Sequence, residues 1–148
     1  MKVLQASSTE WGETTIFPIT ELYPCVNIDY YLTEAPHKKE FGLGYYAVKD
    51  SVAVDGMKNP IVVAPVTKEE WSDMYHPTSE LDIFRYPDVS SEQVHQVRCG
   101  CQRLHMAKSL GFTHIEGILL ENYKQSSALC VKMRGEWKTN KEKFKVGG

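Results

Sequence analysis

The sequence predicts one α+β domain, on three observations. Short β-branched runs alternate with stretches whose apolar residues recur at helical spacing, so both strand and helix signals are present. Glycines stand where those helical stretches end, at Gly56 and Gly111. A chain of 148 residues with 42% hydrophobic and 24% charged residues is long enough for one buried core, without disulfides or a structural metal.

In chain order, "TTIFPITELYP" predicts a short strand followed by a turn at Pro24. Residues 27–44 show no clean period, and Pro36, Gly42 and Gly44 mark them as loop. Tyr45, Val48, Val52 and Ala53 then predict a helix over 45–55 that Gly56 ends. In "NPIVVAPV", Pro60 biases Asn59 to extended geometry ahead of a buried strand. Residues 67–92 read as an acidic insertion, seven acidic residues against Lys68 and Arg85, with a short helix at Glu69 to Met74. "HQVRC" predicts a strand, Gly100 a sharp turn, and Gln102 to Leu110 a helix with Leu104, Ala107 and Leu110 facing the core. A strand over Ile115 to Glu121 follows. A last helix from Ser126 or Ser127 carries Leu129, Met133 and Trp137 on one face.

The longest apolar run, Ile61 to Val66, is six residues with a proline, far short of a membrane span, and the first residues hold no signal peptide. A cytoplasmic, membrane-independent protein with reduced cysteines is expected. The net charge of −2 hides an asymmetry: from Lys132 to the end six basic residues face only Glu136 and Glu142. Such a tail fits contact with phosphate or nucleic acid, although a solvated lysine-rich end is the commoner reading.

The chemistry concentrates in "VRCGCQRLHMAKSLG", residues 97–111. A strand that turns at glycine into a helix aims backbone N–H groups outward, with a positive dipole end behind them. Gly100 lets the backbone approach a phosphate, Arg103 adds a planar donor fork, and Arg98 a second positive charge. The same position favours a thiolate, so Cys101 is a candidate nucleophile, the alternative being an inert, partly buried cysteine. Cys99 reads as a strand hydrophobe. A zinc site from Cys25, Cys99, Cys101 and Cys130 is not expected, because C-x-C is tighter than the usual spacing and the other two stand alone. His95 and His114 carry no ligand pattern; His105 reads either as lining a nucleotide pocket or as a surface residue.

Three blocks in order resemble the ParB/sulfiredoxin superfamily over about residues 16–121, interrupted by the acidic insertion. These are "IFPITELYP", "YYAVKDSVAVDGMKNPIVV" and "VRCGCQRLHMAKSLGFTHIEGILLE". The resemblance implies a small mixed sheet with packed helices, and a nucleotide pocket at the G-x-x-R helix start. In ParB-type partition proteins that motif is glycine, an acidic residue and two arginines, and binds the triphosphate of CTP with magnesium. Gly100 and Arg103 match, while Cys101 and Gln102 replace the acidic residue and the first arginine. Sulfiredoxins carry Gly-Cys-His-Arg, whose cysteine performs ATP-dependent repair of sulfinic acid; Gly100, Cys101 and Arg103 match, with Gln102 in place of histidine.

The chain also resembles the small stand-alone ParB-like proteins of phages and mobile elements, some of which hydrolyse nucleotides or cut DNA. The implied reading is a magnesium-dependent NTPase (ATPase or CTPase). Its cofactor-binding residues are Arg98, Gly100, Cys101, Gln102, Arg103, Lys58 and Asn59, with Cys101 and Arg103 as the catalytic pair. Expected partners are nucleotide, DNA bound or cut through the basic tail, and a second copy in a homodimer. The alternatives are thiol repair through Cys101 and a non-catalytic interaction module.

Overall fold

The computed structural model describes residues 1–8, 10–67, 69–70 and 93–133. Within them lie six strands: β1 (Val3–Leu4), β2 (Thr15–Pro18), β3 (Leu22–Pro24), β4 (Ile61–Thr67), β5 (Gln93–Cys99) and β6 (His114–Leu119). The helices are α1 (Ile28–Thr33), α2 (Lys38–Asp55) and α3 (Cys101–Ser109), with 3-10 turns at Ile19–Glu21 and Tyr123–Gln125. Residues 126–133 are helical.

The sheet is mixed, in the order β1-β6-β4-β5-β3, with β2 also pairing β6. β4 lies parallel to β6 and antiparallel to β5, while β3 runs parallel to β5. This is the expected α+β architecture. The central strand explains itself: "IVVAPV" is nearly continuously apolar because β4 is covered on both faces, with Ile61, Val62, Val63 and Ala64 all at 0% exposure.

On one face Ile61, Val63, Val97 and Ile115 pack with Ile28, Tyr45, Val52, Leu104, Met106 and Ala107 of the three helices. On the other, Val62 and Ile118 pack with Cys130 and Met133 of the 126–133 segment, Leu129 lying partly buried beside them. A register shift between Val62 and Val63 sets Val62 opposite Cys99 and Val63 opposite Val97, leaving Arg98 as the extra residue of a bulge.

The strands at 15–18, 61–67, 93–99 and 114–119, the helix after Gly100 and the helical 126–133 segment fall where the sequence places them. Other expectations fail. Pro24 forms no turn but closes β3, paired with Val97. Residues 27–44 are not loop: α1 starts at 28 and α2 at 38, seven residues before the predicted start. Asn27 caps α1, its side chain accepting from the Tyr30 N–H at 3.3 Å. Phe41 extends the Tyr45, Val48, Val52 series by a turn, and Tyr31, Phe41 and Tyr45 form an aromatic row. That packing overrides the helix-weakening Gly42 and Gly44. Ala53 is exposed and leaves the predicted core face. Gly56 does end α2, at φ 74 with its N–H on the Val52 carbonyl.

The expected helix at Glu69 to Met74 lies outside the described residues from 71 onward, as do the rest of the acidic insertion, Trp137 and the basic tail beyond 133. Among the described residues no helix is long and apolar enough to cross a membrane.

Candidate functional site

β5 delivers the chain to Gly100, and α3 begins at the next residue. Gly100 is left-handed, at φ 106 and ψ 24, and its carbonyl accepts the first helical bond from the Leu104 N–H at 2.9 Å. A Cβ built there would stand 2.5 Å from Ile61 Cγ2 and 2.9 Å from an Arg103 terminal nitrogen. Both backbone and space therefore require glycine. With no Cβ, the turn also cannot cap its own helix: α3 has no side-chain N-cap. Its first N–H groups lack intrahelical acceptors, and the positive end of the helix dipole lies at the turn.

Arg103 folds back under this turn and donates to the Asn59 carbonyl. Asn59 is held from its other end as well, its side-chain oxygen accepting from the Trp11 indole at 2.9 Å. Burial pushes the guanidinium below its usual value, against the opposing pull of the thiols of Cys99, Cys101 and Cys130. Arg98 turns to the opposite sheet face, donating to Gln96 at 2.6 Å and to the Ser126 hydroxyl at 3.3 Å. Among the described residues, neither arginine meets a carboxylate. Arg103 thus lies beneath the uncapped helix start while Arg98, two residues before the turn, lies on the other face of the sheet.

Gly100, Cys101, Gln102 and Arg103 of the expected set are gathered in one turn, and Asn59 joins them through Arg103. Lys58 lies on the adjoining turn, exposed, its carbonyl accepting from the Ser8 N–H. Asn59 accepts Arg103 on its carbonyl and the Trp11 indole on its side-chain oxygen, so it braces the turn from two sides.

The cysteines divide between the two faces of the sheet. Cys99 and Cys130 belong with the Val62 cluster, whereas Cys101 packs with the helix-side core. Cys101 Sγ lies 3.5 Å from Cys25 Sγ and 3.6 Å from the Val97 carbonyl. The expectation that helix position lowers the Cys101 pKa is overturned. Its hydrogen bond to Cys25 and its burial raise it well above the ordinary thiol value. Cys25 is the more acidic partner, lowered chiefly by the Cys101 hydrogen bond and then by the Arg98 charge, against its own burial.

Beside Cys101 opens a cleft of about 350 Å³ between α3 and the β3–α1 connection, reached also by Asp29, His105 and Lys108. His105 lines this cleft and is partly exposed. Its Nε2 meets Asp29 Oδ1 at 2.8 Å and its Nδ1 meets the Tyr45 hydroxyl at 2.5 Å. Since the carboxylate only accepts, Nε2 carries the proton in the neutral ring and Nδ1 accepts from the phenol. Tyr45 is 2% exposed, and burial, followed by the neighbouring Tyr46 and Asp29, pushes its pKa up to about 12. It stays a donor across the physiological range. The imidazole is thereby fixed in orientation and tautomer at the cleft wall.

The sequence reading missed Cys25, Asp29 and Tyr45 as site residues. They lie 60 or more positions from their α3 partners, and nothing local to them marks the pairing. His95 packs edge-on against Phe17, and His114 contacts the Thr113 hydroxyl. Among the described residues no three His, Cys, Asp or Glu side chains gather as metal ligands.

No protein-family model and no curated protein matches the chain. Among solved structures, sulfiredoxin from Arabidopsis thaliana is similar over 81% of this chain and 98% of its own length, with 12% identity and a TM-score of 0.42.

Proposed function

We propose that the chain binds a nucleoside triphosphate, seating the phosphates on the start of α3. One observation carries the reading: Arg103 folds under an uncapped helix N-terminus at a glycine turn, Arg98 stands two residues before that turn, and no carboxylate among the described residues meets either guanidinium. A charge withdrawn from water without a counter-charge is costly, and a bound polyanion supplies that counter-charge. Phosphate oxygens are matched by helix-start N–H groups and by the planar guanidinium fork.

The residues present fit such a ligand as donors. The N–H groups of Cys101, Gln102 and Arg103 would take phosphate oxygens, and Lys58 would extend the positive surface. Magnesium would be held through phosphate oxygens and water, where it would neutralise charge during hydrolysis. ATP and CTP are the ligands to try first, as the G-x-x-R resemblance implies for both. Hydrolysis, and DNA contact through the basic tail, extend the same proposal; DNA affinity would fall steeply with salt.

A thermal-shift panel of ATP, CTP and GTP with magnesium tests the reading. A ligand at a hundredfold excess over its Kd stabilises by about 2.7 kcal/mol, a shift easily measured. Arg103→Ala is expected to lose the shift, and Arg103→Lys, which keeps the charge without the fork, to retain part of it. If no nucleotide raises the wild-type melting temperature, the reading fails.

A further inference from the structure

We infer that Cys25 and Cys101 form a redox-active dithiol, an oxidative modification site that closes to a disulfide between the end of β3 and the first residue of α3. The two sulfur atoms stand 3.5 Å apart although 76 positions separate them in sequence. Pairing of Pro24 with Val97 in the β3–β5 ladder sets the residue before Cys25 opposite the strand that leads into the Gly100 turn. The juxtaposition is therefore fixed by the sheet, and a side-chain adjustment brings the atoms to the bond length of about 2 Å. Both thiols are free and half-buried, so each keeps some contact with solvent, and Cys101 also lines the open cleft. Cys99 and Cys130 lie with the other sheet face and do not compete.

The division of labour follows from the environments already described. Cys25, the more acidic sulfur with the Arg98 charge near it, is the attacking thiolate. It takes the terminal oxygen of a hydroperoxide; the O–O bond breaks, the leaving alkoxide is protonated to an alcohol, and Cys25 becomes a sulfenic acid. Cys101 Sγ then attacks Cys25 Sγ. The S–O bond breaks, and the departing hydroxide leaves as water with the Cys101 proton. Two thiols and one hydroperoxide yield one disulfide, one alcohol and one water, and a dithiol reductant restores the starting state by exchange. The inference does not rest on nucleotide binding: a chain that binds no nucleotide still forms the bond.

The test treats the full chain with equimolar hydrogen peroxide, alkylates it with N-ethylmaleimide and maps its peptides by mass spectrometry. Two of the four thiols are expected to escape alkylation, in a linked peptide pair containing Cys25 and Cys101, and dithiothreitol is expected to return all four. Cys101→Ser should stall at a Cys25 sulfenic acid that dimedone traps, whereas Cys25→Ser should leave Cys101 unmodified. A link through Cys99 or Cys130, or four thiols still alkylated after peroxide, overturns the inference, and the wild-type map alone decides this if either variant misfolds. Dimedone on Cys101 in Cys25→Ser overturns the assigned order of attack.

Discussion

Burying the Tyr45 hydroxyl against His105 removes the water that would stabilise its anion, so the phenol titrates near 12 instead of its ordinary 10.0. The folded chain thus holds that proton more tightly than the unfolded chain does. The associated stability is fully present below pH 10 and is lost as pH climbs from 10 to 12. Tyr45→Phe lacks this term, so the wild type's advantage over it should be constant below pH 10 and shrink above; urea midpoints of the two proteins from pH 8 to 12 check this. An advantage that does not change across that range would show the phenol is not held as described. Residues of this kind were the least legible in the sequence. Gly100 and Arg103 could be singled out because three positions on one turn carry their relationship. The Tyr45–His105–Asp29 row and the Cys25 contact exist only after the sheet forms. For Cys101 the local rule pointed the wrong way, because a helix terminus stabilises a thiolate only when no neighbouring sulfur claims the negative charge first.

At the scale of elements, α2 shows how punctuation residues mislead. Pro36 does sit in a turn, between α1 and α2, but Gly42 and Gly44 lie within the helix and are carried by the packing of Phe41, Tyr45 and Val52. A Cβ at Gly44 would meet nothing within 4 Å, and its backbone is ordinary. Gly44→Ala should therefore stabilise the protein by about 0.8 to 1 kcal/mol, the helix-interior difference between the two residues. Chemical denaturation measures the gain, and a loss of stability would mean that this position is not interior helix. The strands were easier to read. β4 is marked by its β-branched run and by Pro60, and α3 by its glycine start and the Leu-Gly at its end. The two-residue β1 was invisible, since only its parallel pairing with β6 makes it a strand.

Across the whole molecule, one side chain ties the Gly100 turn to the neighbouring strand β6. Ile61, wholly buried at the start of β4, sits between two glycines: its Cγ2 occupies the place a Gly100 Cβ would take, and its Cγ1 stands 2.8 Å from where a Gly117 Cβ would be. Gly117→Ala alone should cost about 1 to 3 kcal/mol by overpacking. Ile61→Ala alone should cost about 2 to 5 kcal/mol as a cavity. Together they should cost less than their sum by about 0.5 to 3 kcal/mol, read from a double-mutant cycle of unfolding free energies. Strict additivity would show that Ile61 does not fill the space above Gly117. The same cycle with Gly100→Ala should recover far less, because the left-handed backbone penalises a side chain however much room is made. The two glycines are thus unequal under mutation. A lineage that shrinks Ile61 first can acquire a larger residue at 117 by small steps, while position 100 stays closed to every order of substitution that leaves the turn intact.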